Sequence, residues 1–279
     1  MRNRLAMAAA GLVALAAAGA GQAAPSVQIR DAVARVVVIP EARGDIQISI
    51  VRANPRLPLQ IQRLGDRVIV RGTVAHKVRG CRTLAGKTHV MVLGLGVVDF
   101  EDMPQVVIHM PMDVRLSAGE AVFGAVGRTR SLDFANAGCG DWTLGNVSGP
   151  LRISQAGSGD TRAGSAGSAD LRIAGSGDIV TQDIRDGLTA VSAGSGDITA
   201  ASVRGPFTAR VAGSGDIHAD AGAVTDMVVA IAGSGDVDFR GEARNLRASV
   251  VGSGDVHAAS VSGEVTKRLV GSGEVRVGP

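Results

Sequence analysis

The sequence predicts an all-β protein that winds into a single-stranded β-helix, a β-solenoid with coils of about 19 residues. Three observations predict this fold. A Gly-Ser-Gly-Asp turn recurs along the second half of the chain, and successive acids of the turn are 18 to 20 residues apart. Two apolar positions follow each turn at fixed offsets, and no stretch sustains a 3.6-residue apolar period. We therefore expect little helix.

The first segment, residues 1–23, has the pattern of a secretory signal peptide. Arg2 and Arg4 precede an apolar run over residues 5–18, and Gly21-Gln22-Ala23 is a small-x-small cleavage site. The alternative is a membrane-spanning helix, but the run is shorter than the roughly 20 apolar residues that a bilayer requires. The mature chain is expected to be exported, periplasmic or extracellular, and not membrane-spanning after cleavage.

The second segment, residues 24–115, lacks the strict repeat but is rich in alternating apolar and polar residues. We expect it to form the N-terminal part of the solenoid or its cap. The predicted strands are Val33–Ile39, Ile46–Ile50, Leu59–Gln62, Val68–Arg71, Val90–Val92 and Gln105–Met110. The polar, basic stretch 76–89 is predicted to be a long loop that contains Cys81.

The third segment, residues 116–279, is the regular repeat. Its turn acids are Asp141, Asp160, Asp178, Asp197, Asp216, Asp236, Asp255 and Glu274. The residues directly after them are Trp142, Thr161, Ile179, Ile198, Ile217, Val237, Val256 and Val275. A second apolar column is Leu151, Leu171, Leu188, Phe207, Met227, Leu246 and Val265. Stacked coils place equivalent positions about 4.8 Å apart, so both columns should fill one core. A leucine-rich repeat, the nearest competing period, needs leucines and an Asn that these coils lack.

The two cysteines, Cys81 and Cys139, are candidates for a disulfide because an even count in an exported chain favours pairing. The alternative is two buried, unpaired thiols. Cys139 replaces the Ser of one turn, so a basic loop carrying Cys81 could reach it there.

Composition excludes several partners. The chain has 29 basic and 26 acidic side chains, and removal of Arg2 and Arg4 leaves 27 against 26, so nucleic acid is not expected. Five Phe, one Trp and no Tyr make an aromatic sugar-stacking platform or cofactor pocket improbable on composition. No cofactor is expected.

The column of turn acids should repel itself, since carboxylates about 4.8 Å apart cost between roughly 1 and 3.5 kcal/mol per pair at effective dielectrics of 80 to 20. Backbone N–H donors, solvent, alternating Arg or bound cations could offset that cost. We interpret the acids as a structural ladder that caps the turns. Calcium between the coils is the alternative, although the Gly-Gly-x-Gly-x-Asp nonapeptide is absent.

A second column, two residues after each acid, brings His218, Asp238 and His257 onto three consecutive coils. This trio is a candidate surface zinc or copper site, and the alternative is a solvated charge ladder. Basic residues Lys77, Arg79, Arg82 and Lys87 could bind an anionic glycan or lipid headgroup, or could simply be solvated. Nucleophile elbow, zinc-protease and Walker patterns are absent, so no catalytic residue is predicted.

The serial GSGD[IV] turns, the strand-rich N-terminal segment and the signal peptide resemble the family described as "putative auto-transporter adhesin, head GIN domain", over about Val33 to Val277. The resemblance implies a right-handed β-solenoid in the bacterial envelope, without catalysis. We therefore predict a structural, adhesive or ligand-binding role, with a surface glycan or envelope protein as the candidate partner. The alternative is a glycan-active β-helix enzyme, a lyase or hydrolase with carboxylates beside Arg in a cleft.

The C-terminal coil ends at Val275-Arg276-Val277 without a long polar cap. Exposed strand edges are templates for pairing. The sequence therefore predicts a homo-oligomer through the C-terminal solenoid end, or else capping of that end by the N-terminal strands.

Overall fold

The computed structural model describes residues 25–84 and 86–278, so the predicted signal peptide lies outside the described residues. The described chain is all-β, with no α-helix and one 3-10 turn at Phe100–Asp102. Its coils of about 19 residues stack into a β-solenoid of about nine turns, which confirms the predicted fold class. The strands are β1 (Ser26–Arg30), β2 (Val33–Glu41), β3 (Gln47–Arg52), β4 (Gln60–Leu64), β5 (Arg67–Arg71), β6 (Val78–Leu84), β7 (Lys87–Val92), β8 (Gly96–Asp99), β9 (Gln105–Pro111), β10 (Asp113–Val126), β11 (Ser131–Gly138), β12 (Trp142–Leu144), β13 (Leu151–Gln155), β14 (Thr161–Ala163), β15 (Ala169–Ile173), β16 (Ile179–Ile184), β17 (Leu188–Ser192), β18 (Ile198–Gly213), β19 (Ile217–Ala219), β20 (Gly222–Gly233), β21 (Val237–Gly252), β22 (Val256–Val261), β23 (Val265–Gly271) and β24 (Val275–Val277).

Each regular coil contributes to two parallel stacks. The first stack contains the strands that follow the turn acids, such as β12, β14 and β16, and the second contains strands such as β11, β13, β15 and β17. The partners differ by 18 to 20 residues, as in Ile179 with Ile198 and Leu188 with Phe207. The period of the sequence is therefore the hydrogen-bonding register of the solenoid.

The first apolar column is buried along its whole length, from Trp142 to Val275. The second column is buried except at Val265, which is exposed. One position was assigned wrongly: Ala169, not Leu171, pairs with Leu151 and Leu188, because that coil is one residue shorter than its neighbours. Leu171 is buried one inward position further along the strand, next to Ile153.

The N-terminal strands join the same solenoid, but their order in space differs from their order in the chain. Strands β1 and β2 lie between β10 on one side and β5 and β9 on the other, all in parallel register. Strands β3 and β4 then pair antiparallel with β9 and β5. The first end of the solenoid is consequently covered by two reversed strands, a common way of ending parallel pairing.

Residues 76–89 do not form the predicted long loop. They contain β6 and the start of β7, which pair antiparallel and make a three-stranded sheet with β8. The inner face of this sheet packs Val90 and Val98 against Phe123 of the solenoid, in a hydrophobic cluster separate from the main core. A disulfide joins Cys81 of β6 to Cys139, with the two Cα atoms 5.7 Å apart. The sheet is thus attached to the wall of the solenoid by apolar packing and by a covalent bond.

The last described coil is the most exposed. All of β23 is solvent-accessible, including Leu269 and Val270. The N-terminal strands pair at the opposite end, so the alternative in which they cap this coil is wrong for the described residues. Association through this coil stays a prediction.

Candidate functional site

The repeated turn makes its hydrogen bonds to the preceding coil. In one representative turn, the N–H groups of Ser214 and Gly215 both donate to the carbonyl oxygen of Gly194, at 3.0 and 3.2 Å. The next N–H, that of Asp216, donates to a carboxylate oxygen of Asp197 at 2.7 Å. Three consecutive backbone donors are therefore satisfied between coils, as buried or half-buried N–H groups require.

The same carboxylate bond recurs along the whole column, which we call the acid ladder. Seven bonds of 2.7–3.1 Å connect Asp141 to Glu274 through the intervening acids, each carboxylate accepting the N–H of the next acid. Four groups could offset the repulsion between the acids, and the structure shows one of them, a backbone N–H donor, at every acid except the last. Three acids also lie near a cationic or titratable side chain two residues later, at Arg162, His218 and Arg276.

We predict that the acid ladder contributes to stability through these bonds and without calcium. Asp197→Ala should lower the free energy of unfolding by about 1–3 kcal/mol, because the Asp216 N–H would lose a charged acceptor. Asp197→Asn keeps an acceptor oxygen and should cost less. Chemical denaturation measures both, and repeating it with calcium and with chelator should give the same midpoints. Equal losses for the two variants, or a clear rise in midpoint with calcium, would contradict this interpretation.

The proposed trio of metal ligands is only partly brought together. His257 Nδ1 and Asp238 Oδ1 are 2.7 Å apart, but His257 Nε2 is 2.7 Å from the Gly278 carbonyl oxygen and Arg240 Nε donates to Asp238 Oδ2 at 3.0 Å. His218 instead faces Asp216, at 3.9 Å. Across residues 25–84 and 86–278, no three His, Cys, Asp or Glu side chains form a group that could hold a metal ion. Of the predicted trio, only His257 and Asp238 interact, and Arg240 binds the other oxygen of the same carboxylate.

These contacts shift the pKa values of His257 and Asp238. The Asp238 carboxylate, followed by the Gly278 carbonyl, raises the pKa of His257 above its ordinary value of 6.5. Burial alone would raise the pKa of Asp238, but hydrogen bonds from His257 and Arg240 outweigh it and hold that pKa below 3.8. The pair is therefore charged on both sides over a wider range of pH than either group would be alone.

This pair predicts a pH-dependent contribution to stability. Because the folded pKa of His257 is raised, its contribution is full below about pH 6.5 and is lost as the pH rises through the folded value. Asp238 contributes above about pH 3.8 and loses that contribution as the pH falls through its lowered value. Wild type should exceed His257→Gln in free energy of unfolding by about 0.2–1 kcal/mol at pH 5–6, as expected for a partly exposed pair. The difference should shrink as the pH rises through the raised folded pKa of His257. A difference that is independent of pH would exclude the ion pair as its cause.

A groove of about 550 Å³ lies on the outer side of the second stack. It runs along the solenoid axis over one position from each of six successive coils, namely Arg115, Asp133, Arg152, Asp170, Thr189 and Thr208. Five steps of about 4.8 Å make it roughly 24 Å long. Pro150 and Pro206 line one wall at the corner where each coil turns.

Hydrogen bonds and ion pairs from arginines hold two carboxylates at the groove. Arg172 donates two hydrogen bonds to Asp170, at 2.8 and 3.0 Å, and Arg152 lies 3.6 Å from the same carboxylate. At one end, Asp113 accepts hydrogen bonds from Arg130 and from the Ser131 hydroxyl. Those two donors, Arg130 first, lower the pKa of Asp113. Two acids at the groove, Asp113 and Asp170, are therefore held by arginines, and charge alternates from Arg115 to Asp170 along the outward column.

The groove was not predicted from sequence, although its pattern is present there. Arg115, Asp133, Arg152 and Asp170 alternate in charge at steps of 18, 19 and 18 residues. The predicted site residues lie at the turn and in the column two residues after it, and neither set includes this outward column of the second stack. Alternating charge at the coil period would have identified it.

Comparison with known proteins bears on one part of the chain. Residues 185–279 match the model of the family described as "putative auto-transporter adhesin, head GIN domain", which confirms the resemblance over that third of the sequence. No curated protein matches the chain. No helix among the described residues has the length and apolar character needed to cross a bilayer.

Proposed function

We propose, from this family match and from the groove, that the chain is a non-enzymatic protein exported to the bacterial envelope, where its solenoid binds an extended, polar surface glycan. The family description names an adhesin head, and a head domain requires a surface for its target. An envelope protein rich in polar side chains is the alternative partner. The groove is the surface to which we assign the binding.

The single observation that carries this proposal is the straight line of polar groups in the groove. Consecutive coils present Arg152, Asp170 and Thr189 one step further along the axis, so a linear polymer could repeat its contacts from coil to coil. Weak contacts that are linked in this way add to a useful affinity. Carboxylates and guanidinium groups that are already positioned lose little freedom when they bind hydroxyl groups. A glycan chain suits this arrangement better than a compact ligand does.

The glycan-active enzyme is less well supported by the same residues. A glycosidase needs one carboxylic acid with a raised pKa as general acid. In this groove Arg130 and Ser131 lower the pKa of Asp113, and two arginines engage Asp170. The lowered pKa of Asp113 and the hydrogen bonds from arginine to both acids suit binding rather than proton donation.

A glycan array followed by titration of the best ligand tests this proposal. Arg152→Ala should weaken binding about tenfold, because it removes a charged donor from the centre of the groove. Arg162→Ala is the matched control, since its side chain is 64% exposed against 61% for Arg152 and it lies on the other stack. Equal loss in both variants would contradict the groove as the site. Steady release of new reducing ends during incubation would support the enzyme instead.

A further inference from the structure

The outer face of the three-stranded sheet β6–β8 is unusually apolar for a surface. Leu84, Met91 and Val97 point outward and are 61%, 51% and 57% exposed. Met91 and Val97 lie opposite each other on β7 and β8, and Gly80 lies opposite Met91 on β6. A Cβ added at Gly80 would meet nothing within 4 Å, so the face is open there. Together with Arg79, Arg82 and His89, these residues line a depression of about 320 Å³.

Cations surround these apolar side chains. Arg79, Arg82 and Lys87 are exposed on or beside the same face. None of the three forms an ion pair with another described residue. The acid on this face, Asp99, is occupied by His89, with Oδ1 and Nδ1 2.7 Å apart. The face therefore combines exposed aliphatic groups with three cations that form no ion pair among the described residues.

The exposure is not required by the fold. The inner face already gives the sheet its hydrophobic core, because Val90 is fully buried and Val98 is nearly buried against the solenoid. The disulfide from Cys81 to Cys139 holds that inner face in place. The sheet is moreover an insertion between β5 and β9, outside the stacks of the solenoid. An inserted, anchored sheet with an apolar outer face is suited to contact something outside the molecule.

We propose that the outer face of β6–β8 docks on an anionic lipid surface. Leu84, Met91 and Val97 would enter the boundary between headgroups and acyl chains, while Arg79, Arg82 and Lys87 would contact lipid phosphates. The dimensions of the sheet favour a membrane over a stable protein partner. The three strands have seven, six and four residues, and together they cover roughly 270 Å², against about 800 Å² per partner in a standard protein interface. The face also lacks the Trp and Tyr that anchor such interfaces.

Co-sedimentation of the mature protein with lipid vesicles tests this docking. The protein should sediment with vesicles of phosphatidylcholine mixed with phosphatidylglycerol, and much less with phosphatidylcholine alone, and added salt should weaken the binding. The double change Arg82→Ala and Lys87→Ala should lower the vesicle partition coefficient about tenfold or more. Met91→Ser with Val97→Ser should lower it as well, at low and at high salt.

The matched control is Val251→Ser, because Val251 is 53% exposed on the wall of the solenoid, away from this sheet. It should leave vesicle binding unchanged, and thermal melting should show that every variant is folded. Absence of sedimentation with anionic vesicles would overturn the proposal. So would equal binding to both vesicle types, or equal loss with Val251→Ser. A concentration-dependent increase in mass by light scattering that Met91→Ser with Val97→Ser abolishes would assign the face to a second copy of the chain instead.

Discussion

Gly213→Ala is expected to destabilise the protein by at least about 3 kcal/mol. Gly213 has a φ of 141°, a conformation that residues with a side chain rarely adopt. An added methyl group would also fall on the carbonyl oxygen of Gly194 in the preceding coil. That oxygen already accepts the N–H groups of Ser214 and Gly215, so it cannot move without breaking two bonds between coils. The variant would therefore suffer backbone strain at Gly213 and a steric clash with the Gly194 carbonyl oxygen.

Urea denaturation of wild type and variant measures this loss. Gly44→Ala is the matched control, because a Cβ at Gly44 would meet nothing within 4 Å. We expect it to change the free energy of unfolding by no more than about 0.5 kcal/mol. A loss of less than about 1 kcal/mol in Gly213→Ala would show that the turns are not stacked closely enough to exclude a side chain.

Removal of the disulfide is expected to have a comparable effect. The bond closes a loop between positions 58 residues apart, and the chain-entropy model assigns about 4 kcal/mol to such a closure. Cys81→Ala with Cys139→Ala should lose up to that amount. The sheet β6–β8 should loosen first, because only non-covalent contacts then attach it, such as the packing of Val90 against Phe123 and the hydrogen bond from Arg56 to the Leu95 carbonyl.

Thermal melting and amide hydrogen exchange measure the two parts of this prediction. Exchange should accelerate in β6–β8 more than in the regular coils. Reductant should shift the melting of the wild type toward that of the double variant and leave the double variant unchanged. Two free thiols in unfolded, unreduced wild type would contradict the disulfide. Equal acceleration of exchange in all coils would show that the disulfide does not mainly stabilise the sheet β6–β8.

The regular coils could be predicted closely because equivalent residues in successive repeats occupy neighbouring positions in the stack and share the same environment. Ile198 and Ile217 are 19 residues apart in sequence, and they are also hydrogen-bonding neighbours buried in one core. The acid ladder was predictable as a column of turn acids, but the partner of each carboxylate was not. Backbone N–H groups, solvent, Arg and cations were all compatible with the spacing, and only the structure identifies the N–H of the next acid as the donor.

The stretch 76–89 was predicted wrongly for a different reason. Its outward positions mix the polar residues Arg82 and Lys87 with the apolar Leu84, and its inward position Cys81 is neither strongly apolar nor repeated. The alternation that marks a strand is therefore weak there, and partners on β8 had to be known before the stretch could be assigned to a sheet.

The sequence by itself determined the coil period and, apart from Leu171 and Val265, the two buried columns, because these features depend on neighbours at one constant separation. The tertiary structure alone decided that β1 and β2 lie between β10 and the pair β5 and β9, and that β6–β8 covers Phe123. Such contacts join positions that have no equivalent in the repeat, so packing selects them among many alternatives and no period in the sequence records the choice.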